Sequence, residues 1–182
     1  QEVGSALKTV PKGKIDWITF VGSGEPTLHS RIGELIRRVK GLTDLPVAVL
    51  TNGALLYLPD VRRELSAADA VLPTLDAGDA ALYRKINRPW PELTFEWHIA
   101  GLQAFRQEYT GSLWVEVMLM EGLNDGEAEL QATSSLLSSI QPDEVHINLP
   151  VRPPAEPWVQ PPKPERLEYA RQVLGASARI VS

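Results

Sequence analysis

The sequence predicts an α/β fold, a partial (β/α) barrel of about six parallel strands. Two observations carry this prediction: strand and helix patterns alternate along the chain, and several strands are apolar on one face only. Strict alternation is typical of right-handed βαβ units in a parallel sheet, and it fits an open doubly wound sheet as well as a barrel. The strand faces favour the barrel, because a doubly wound sheet buries both faces of its strands under helices.

Short apolar runs bounded by glycine or proline mark the strands, and apolar residues at helical spacing mark the helices. The run IDWITFV at 15–21 is the first strand, and an apolar stripe from Ile32 to Val39 follows, with Ser30 as its expected N-cap. Strands are expected at 15–21, 47–50, 70–75, 113–120, 143–149 and 178–181. Helices are expected at 1–10, from Ser30 onward, and at 59–67, 94–108, 124–140 and 164–174.

Length and composition describe an ordinary globular chain. The 182 residues fit one domain, expected over 1–182, with an extended proline-rich surface loop at 150–164. No apolar run reaches the ~18 residues of a membrane span and no signal-peptide pattern is present, so we expect a cytoplasmic protein without membrane contact. The net charge of −5 gives no global basic surface, which makes nucleic acid an unexpected partner while leaving room for a local basic patch.

Polar residues on the inward strand faces predict a solvated or ligand-filled interior. In 113–120, Glu116 shares a face with Met118, and the opposite face is entirely apolar. His146 and Asn148 lie on one face of the 143–149 strand, and Asp76 ends the third strand. Ionisable groups in a closed interior are costly unless they are paired or bind a ligand.

A glycine-rich turn, Gly22-Ser23-Gly24-Glu25-Pro26, follows the first strand, at the strand end where α/β proteins bind ligands. The glycines allow close approach of the backbone to a ligand, and the Glu25 carboxylate could hold an ammonium group. Pro26 fixes the turn. The segment is not a phosphate-binding loop, because it lacks the Gly-Lys-Ser/Thr ending and a carboxylate repels phosphate.

The segment FVGSGEPTLH resembles the GGEP motif of the radical S-adenosylmethionine (SAM) superfamily. LTNGALL, LPTLDA, VEVMLMEGLND and VHINLPVRPP resemble, in the same order, the ends of that family's third to sixth barrel strands. The likeness covers about 15–175 and is greatest to the group of pyruvate formate-lyase-activating and wyosine-forming enzymes. It implies a TIM-like partial barrel that binds SAM beside a [4Fe-4S] cluster and generates a 5′-deoxyadenosyl radical for hydrogen abstraction.

The resemblance also implies which residues lie near SAM. The loop would hold the amino end of its methionine, the next strand ends would lie near the methionine or ribose, and the last two strands would neighbour the ribose or adenine. The implied cofactor-binding residues are Gly22, Ser23, Gly24, Glu25, Pro26, Thr51, Asn52, Asp76, Glu116, Met118, Asn148 and Leu149. No catalytic residue and no metal ligand of this chain is implied.

The sequence departs from the family in having no cysteine. The family's three cluster cysteines follow the first barrel strand, so we expect that strand and the cluster loop to be missing here and this chain to be inactive alone. An exposed strand edge would then favour self-association. The whole protein would use an electron donor and an unknown substrate.

Two other functions stay open. One is a cluster-free module that binds SAM or another nucleoside without catalysis. The other is an unrelated barrel enzyme, an aldolase or isomerase with Glu116 and Asp76 as acid and base.

A few single residues allow weaker predictions. His98, inside a predicted helix, is expected at or near the surface, while His146 is expected on the interior face with a structural hydrogen bond. Arg88 and Arg152 each lie beside prolines, and either could contact an anionic substrate or lie in an ordinary surface turn.

Overall fold

The computed structural model describes residues 2–11, 13–151 and 156–181, and Arg152 lies outside them. Seven α-helices and six strands alternate in the described part of the chain, except that two helices follow each other after the third strand. The strands are β1 (Ile18–Phe20), β2 (Val47–Thr51), β3 (Ala70–Pro73), β4 (Ser112–Met118), β5 (Glu144–Asn148) and β6 (Ala178–Ile180). The helices are α1 (Glu2–Thr9), α2 (Ile32–Lys40), α3 (Pro59–Leu65), α4 (Ala80–Asn87), α5 (Phe95–Glu108), α6 (Glu127–Ile140) and α7 (Pro164–Val173).

The six strands form one parallel sheet in the order β1-β2-β3-β4-β5-β6. A doubly wound sheet reverses its strand order at a switch point, and this sheet does not. The sequential order is that of a (β/α) barrel, and the partial barrel is confirmed. In the described residues β1 pairs only with β2 and β6 only with β5, so the sheet is open; the expected self-association through an edge stays a prediction.

The main apolar core lies between the helices and one face of the sheet. Val115 and Val117 of β4, Leu102 and Phe105 of α5 and Leu130 of α6 are all at most 1% exposed in it. The opposite sheet face carries a smaller apolar cluster, formed by Ala48, Ala70, Leu72, Trp17, Leu50 and Trp114. Strand alternation therefore sends one face to the helices and leaves the other to form the interior.

Several element boundaries differ from the sequence prediction. The strands β1 and β4 end earlier than expected, and α4 replaces a stretch for which no element was predicted. The N-cap of α2 is Arg31 rather than Ser30, without a side-chain capping bond. His98 is 3% exposed, so its expected surface position is wrong. In the described residues, no helix combines the length and the apolarity needed to cross a membrane.

Gly101 lets α5 approach the turn after β2. A Cβ atom added there would lie 2.5 Å from the backbone nitrogen of Tyr57 and 2.7 Å from the carbonyl carbon of Leu56. Gly101→Ala is therefore expected to lower the free energy of unfolding by about 1–3 kcal/mol, because neither backbone atom can move aside freely. Urea unfolding measures this. Gly4→Ala in α1, with only Leu42 at 4.0 Å, is the control and should be neutral or slightly stabilising.

Candidate functional site

The Glu25 carboxylate ties the glycine-rich loop to the end of β2. Its Oε1 atom accepts hydrogen bonds from Thr27 N at 3.0 Å, Thr27 Oγ1 at 2.7 Å and Thr51 Oγ1 at 2.5 Å. Its Oε2 atom accepts one from Asn52 N at 2.7 Å. Glu25 also caps the short 3-10 helix Pro26–Leu28. Three predicted site residues, Glu25, Thr51 and Asn52, are thus in direct contact.

The three residues before Glu25 present open backbone at this edge of the sheet. Gly22, Ser23 and Gly24 are exposed. A Cβ atom on Gly24 would meet nothing within 4 Å, so space lies beside the loop on that side. A ligand that approaches this loop would contact its backbone directly.

Asp76, just beyond β3, is the buried carboxylate of the site. It is 8% exposed, and its Oδ1 atom accepts from Met118 N at 2.8 Å while Oδ2 accepts from Asn87 Nδ2 at 3.0 Å. Burial raises the pKa of Asp76 from 3.8 to about 6; both hydrogen bonds oppose the rise, and the nearby Glu116 charge adds to it. The carboxylate joins the C-terminal end of α4 to the end of β4.

Asn124 holds the same strand ends from the other side, and the sequence prediction missed this role. It was expected to begin a helix, but α6 starts at Glu127 with Gly126 as its N-cap. The Asn124 side chain donates to Asp76 O at 2.9 Å and Met118 O at 2.8 Å, and its Oδ1 accepts from Met120 N at 2.8 Å. The side-chain nitrogen and oxygen of this buried amide are therefore both bonded to backbone groups, those of Asp76, Met118 and Met120.

On the interior face, Glu116 and Asn148 are paired across β4 and β5. Asn148 Nδ2 donates to Glu116 Oε1 at 2.8 Å, while Oε2 has no hydrogen-bond partner among the described residues. His146 bonds Glu144 at 2.8 Å and stacks on Trp114, which agrees with the expected structural role. Glu116 therefore offers one free acceptor to a ligand in the interior.

His98 supports the site from behind the sheet. Its Nε2 atom lies 3.0 Å from Thr74 O, and its ring stacks on Tyr83. A Cβ atom on Gly53 would lie 3.1 Å from the His98 ring, so the absence of a side chain there allows the approach. Burial lowers the pKa of His98 from 6.5 to about 4, and the imidazole is neutral at pH 7.

A cleft of about 610 Å³ opens at the carboxyl ends of β3, β4 and β5. Four predicted site residues line it, namely Asp76, Met118, Asn148 and Leu149. Glu25, Thr51 and Asn52 do not belong to the lining. Glu116 does not line the cleft either, but it accepts a hydrogen bond from Asn148, which does. Residues that were not predicted as cofactor contacts complete the wall: Lys85, Ile86, Arg88, Met120, Leu123, Pro150, Val151, Glu156, Trp158 and Val159.

Comparison with known proteins shows the family of this chain. The family model described as Radical SAM superfamily matches residues 2–132, well over half of the chain. The chain belongs to the radical SAM superfamily. The resemblance drawn from the loop at Glu25 and the strand ends is thereby confirmed.

Two individual relatives match most of this chain. A UPF0026 protein of Methanocaldococcus jannaschii is 35% identical over 168 residues, covering 92% of this chain and 51% of that protein. A protein named GTPase Obg from Brachyspira hyodysenteriae is 37% identical over 166 residues, covering 91% of this chain and 24% of that protein. The chain thus spans about half the length of the first and a quarter of the second.

The fold also matches a solved structure. A domain of pyruvate-formate lyase-activating enzyme from Bacteroides vulgatus superposes with a TM-score of 0.72 at 21% identity, covering 91% of this chain and 98% of that one. At this level of identity the likeness shows the fold alone.

The residues of this chain fit SAM but not an iron–sulfur cluster. Glu25 Oε2 accepts one hydrogen bond, and a carboxylate oxygen has room for a second, from an ammonium group for example. Glu116 Oε2 is free for a hydroxyl. The chain has no cysteine, and the described residues contain no group of three or more histidine, cysteine, aspartate or glutamate side chains that could hold a metal ion.

Proposed function

We propose that this chain is the SAM-binding core of a radical SAM enzyme that abstracts hydrogen from its substrate. The observation that carries the proposal is the Glu25 carboxylate, which joins the exposed glycine loop to Thr51 and Asn52 at the carboxyl edge of the sheet. When bound, SAM supplies the radical chemistry of this superfamily after a one-electron reduction, for which the whole protein would use an electron donor. No step is assigned to a cluster, because the chain offers no thiolate.

Each group of site residues has one role in the proposal. Gly22, Ser23, Gly24 and Pro26 shape the loop, and Glu25 accepts a hydrogen bond from the SAM ammonium group. Thr51 and Asn52 hold Glu25 in place. The remaining contacts, to the ribose and adenine, come from Asp76, Glu116, Met118, Asn148 and Leu149.

The geometry ranks the two acids differently for the ribose. Asp76 is only 8% exposed and both of its oxygens already accept protein hydrogen bonds, so it serves the ribose less by direct contact than by fixing the strand ends. Glu116 keeps one free oxygen and is the better acceptor for a ribose hydroxyl. An aldolase that uses Asp76 and Glu116 as acid and base is less favoured, because each carboxylate already accepts a hydrogen bond from the side-chain amide of an asparagine.

The proposal is tested with protein expressed from the complete reading frame. Isothermal titration calorimetry with SAM should give saturable one-site binding, and Glu116→Gln should weaken it by about tenfold through loss of a charged acceptor. Glu144→Gln, on the same sheet face but paired with His146, is the control and should leave the affinity unchanged.

Turnover is measured separately, as 5′-deoxyadenosine formed under anaerobic, reducing conditions. SAM binding together with formation of 5′-deoxyadenosine would support the proposal that the whole protein is an enzyme. We also propose that the protein is cytoplasmic and that the 182-residue chain alone is inactive. Binding without cleavage, from a reading frame that has no cysteine, would instead favour the cluster-free module. Failure to bind SAM contradicts both.

A further inference from the structure

The cleft at the ends of β3–β5 has the size and lining of a small-molecule site. Its volume of about 610 Å³ lies within the usual range for such sites. Ile86, Met120, Leu123 and Val159 give it apolar walls, and Trp158 is 48% exposed beside them. These residues come from α4, the loop after β4 and the proline-rich stretch, and none of them was assigned to SAM.

One wall of the cleft carries two cations, although the whole chain has a net charge of −5 and the lining also holds the carboxylates of Asp76 and Glu156. Lys85 and Arg88 lie three residues apart at the C-terminal end of α4, and both line the cleft. The lysines that form ion pairs in the described part of the chain are Lys40 and Lys163, which leaves Lys85 without a carboxylate partner there. Such a local pair of cations attracts an anionic group.

The backbone at Arg88 is held in an uncommon conformation. Arg88 has φ 45° and ψ 54°, the left-handed region, directly before Pro89, which disfavours helical backbone in the preceding residue. Asn87, the preceding residue, is anchored by its bond to Asp76, and its Oδ1 atom is buried without a hydrogen-bond partner in the described structure. Arg88 is the C-cap of α4, so its left-handed backbone ends the helix, and its side chain lies against Glu156.

A carboxylate of the chain itself already lies on Arg88. Glu156 Oε1 is 2.8 Å from Arg88 Nη2, and both side chains are partly exposed. An ion pair between exposed groups contributes little stability, so a competing anion can replace Glu156. Two contacts independent of Glu156 hold the residues that follow it: Glu121 N donates to Gln160 O at 2.8 Å, and Lys163 Nζ lies 3.6 Å from Glu121 Oε1.

We propose that this cleft binds the substrate, a small molecule with an apolar body and a carboxylate or phosphate group, and that Arg88 binds the anionic group in exchange for Glu156. Lys85 adds a second positive charge, and Trp158 packs on the apolar body. The inference rests on the proposed function, since it places the substrate beside the residues assigned to the SAM ribose and adenine.

The test uses phenyl phosphate as the probe, titrated by calorimetry into protein from the complete reading frame saturated with S-adenosylhomocysteine. Saturation removes any competition from the SAM carboxylate site. Arg88→Gln should raise the dissociation constant about tenfold or more, the effect of losing a charge-assisted contact. Arg84→Gln, also exposed on α4 but outside the cleft lining, should leave it unchanged.

Glu156→Gln provides an opposite expectation that misfolding cannot imitate. Removing the competing carboxylate should lower the dissociation constant of phenyl phosphate by about twofold to fivefold. Benzyl alcohol, which lacks the anion, should bind with no dependence on Arg88, and 3-phenylpropionate in place of phenyl phosphate tells whether carboxylate or phosphate is preferred.

Equal effects of Arg84→Gln and Arg88→Gln, or unchanged or weaker binding in Glu156→Gln, would overturn the inference. If S-adenosylhomocysteine binds and the probe shows no dependence on Arg88, the inference alone fails. If S-adenosylhomocysteine does not bind, the proposed function fails, and the dependence of the probe on Arg88 is then measured without it.

Discussion

Asp76→Asn is expected to raise the free energy of unfolding by up to about 3 kcal/mol near pH 7.5. Burial holds the pKa of the Asp76 carboxyl at about 6, against an ordinary value of 3.8. Between these values the folded state binds more protons than the unfolded state, so the contribution of Asp76 to stability falls as the pH rises. An asparagine at position 76 is neutral over the whole pH range. Rotation of the Asn87 amide would also let its Oδ1 atom, which has no hydrogen-bond partner in the described structure, accept a bond from the new side-chain NH2 group.

His98 opposes Asp76 over nearly the same pH range. Its pKa is lowered to about 4 from 6.5, so the folded state binds fewer protons than the unfolded state between those values. The contribution of His98 is therefore complete above about pH 6.5 and is lost as the pH falls toward 4. In the wild type the contributions of Asp76 and His98 to the pH dependence partly cancel. In Asp76→Asn only that of His98 remains, so the free energy of unfolding should rise with pH.

Urea unfolding at intervals from about pH 4 to pH 8 measures both effects. The difference between Asp76→Asn and the wild type should be small near pH 4 and largest above pH 6. Asp16→Asn, the same change at an exposed position, is the control and should follow the wild type. A difference independent of pH would contradict the proposed titration of Asp76.

The sequence was sufficient to predict the order of strands and helices and the parallel sheet, because local residue patterns determine both. Alternating strands and helices predicted the parallel sheet, and the polar residues of β4 and β5 predicted an interior face that Glu116 and Asn148 indeed share. Pro73, which cannot donate to a strand ladder, is the last residue of β3, where no further ladder bond is required of it.

What the sequence did not reveal depends on contacts between distant segments. His98 looked like a surface residue of an amphipathic helix, but the lack of a side chain at Gly53 lets its ring reach Thr74. Asn124 looked like a helix cap because its bonds to Asp76 and Met118 exist only once β3 and β4 are adjacent.

The sequence contains a signal for α4 from which this helix could have been predicted. Asp79 accepts hydrogen bonds from the backbone of Ala81 and Leu82, an N-cap that the residue type alone suggests. The helix carries Lys85 and Arg88 to the cleft, so missing it also hid the cationic wall. The cleft also depends on where Glu156, Trp158 and Val159 lie, which sequence patterns do not determine.

Glu25→Ala is expected to weaken SAM binding by about one to two orders of magnitude. Two effects combine in this variant. The ammonium group of SAM loses its carboxylate acceptor, and the loop loses the bonds that join it to Thr27, Thr51 and Asn52. Calorimetric titration of SAM into protein from the complete reading frame measures the sum, and Glu92→Ala, an exposed glutamate, is the control.

Thr51→Val separates the two effects because it keeps the carboxylate while it removes the 2.5 Å bond to Glu25, together with the bond that Thr51 Oγ1 accepts from Gly53 N at 3.1 Å. If Glu25 binds the ammonium group directly, Thr51→Val should weaken SAM binding several-fold less than Glu25→Ala does. Equal losses would mean that Glu25 acts by holding the loop, with the ammonium group bound by the backbone of Gly22 and Ser23. Unchanged affinity in Glu25→Ala would contradict both roles, and with them the assignment of this loop to SAM.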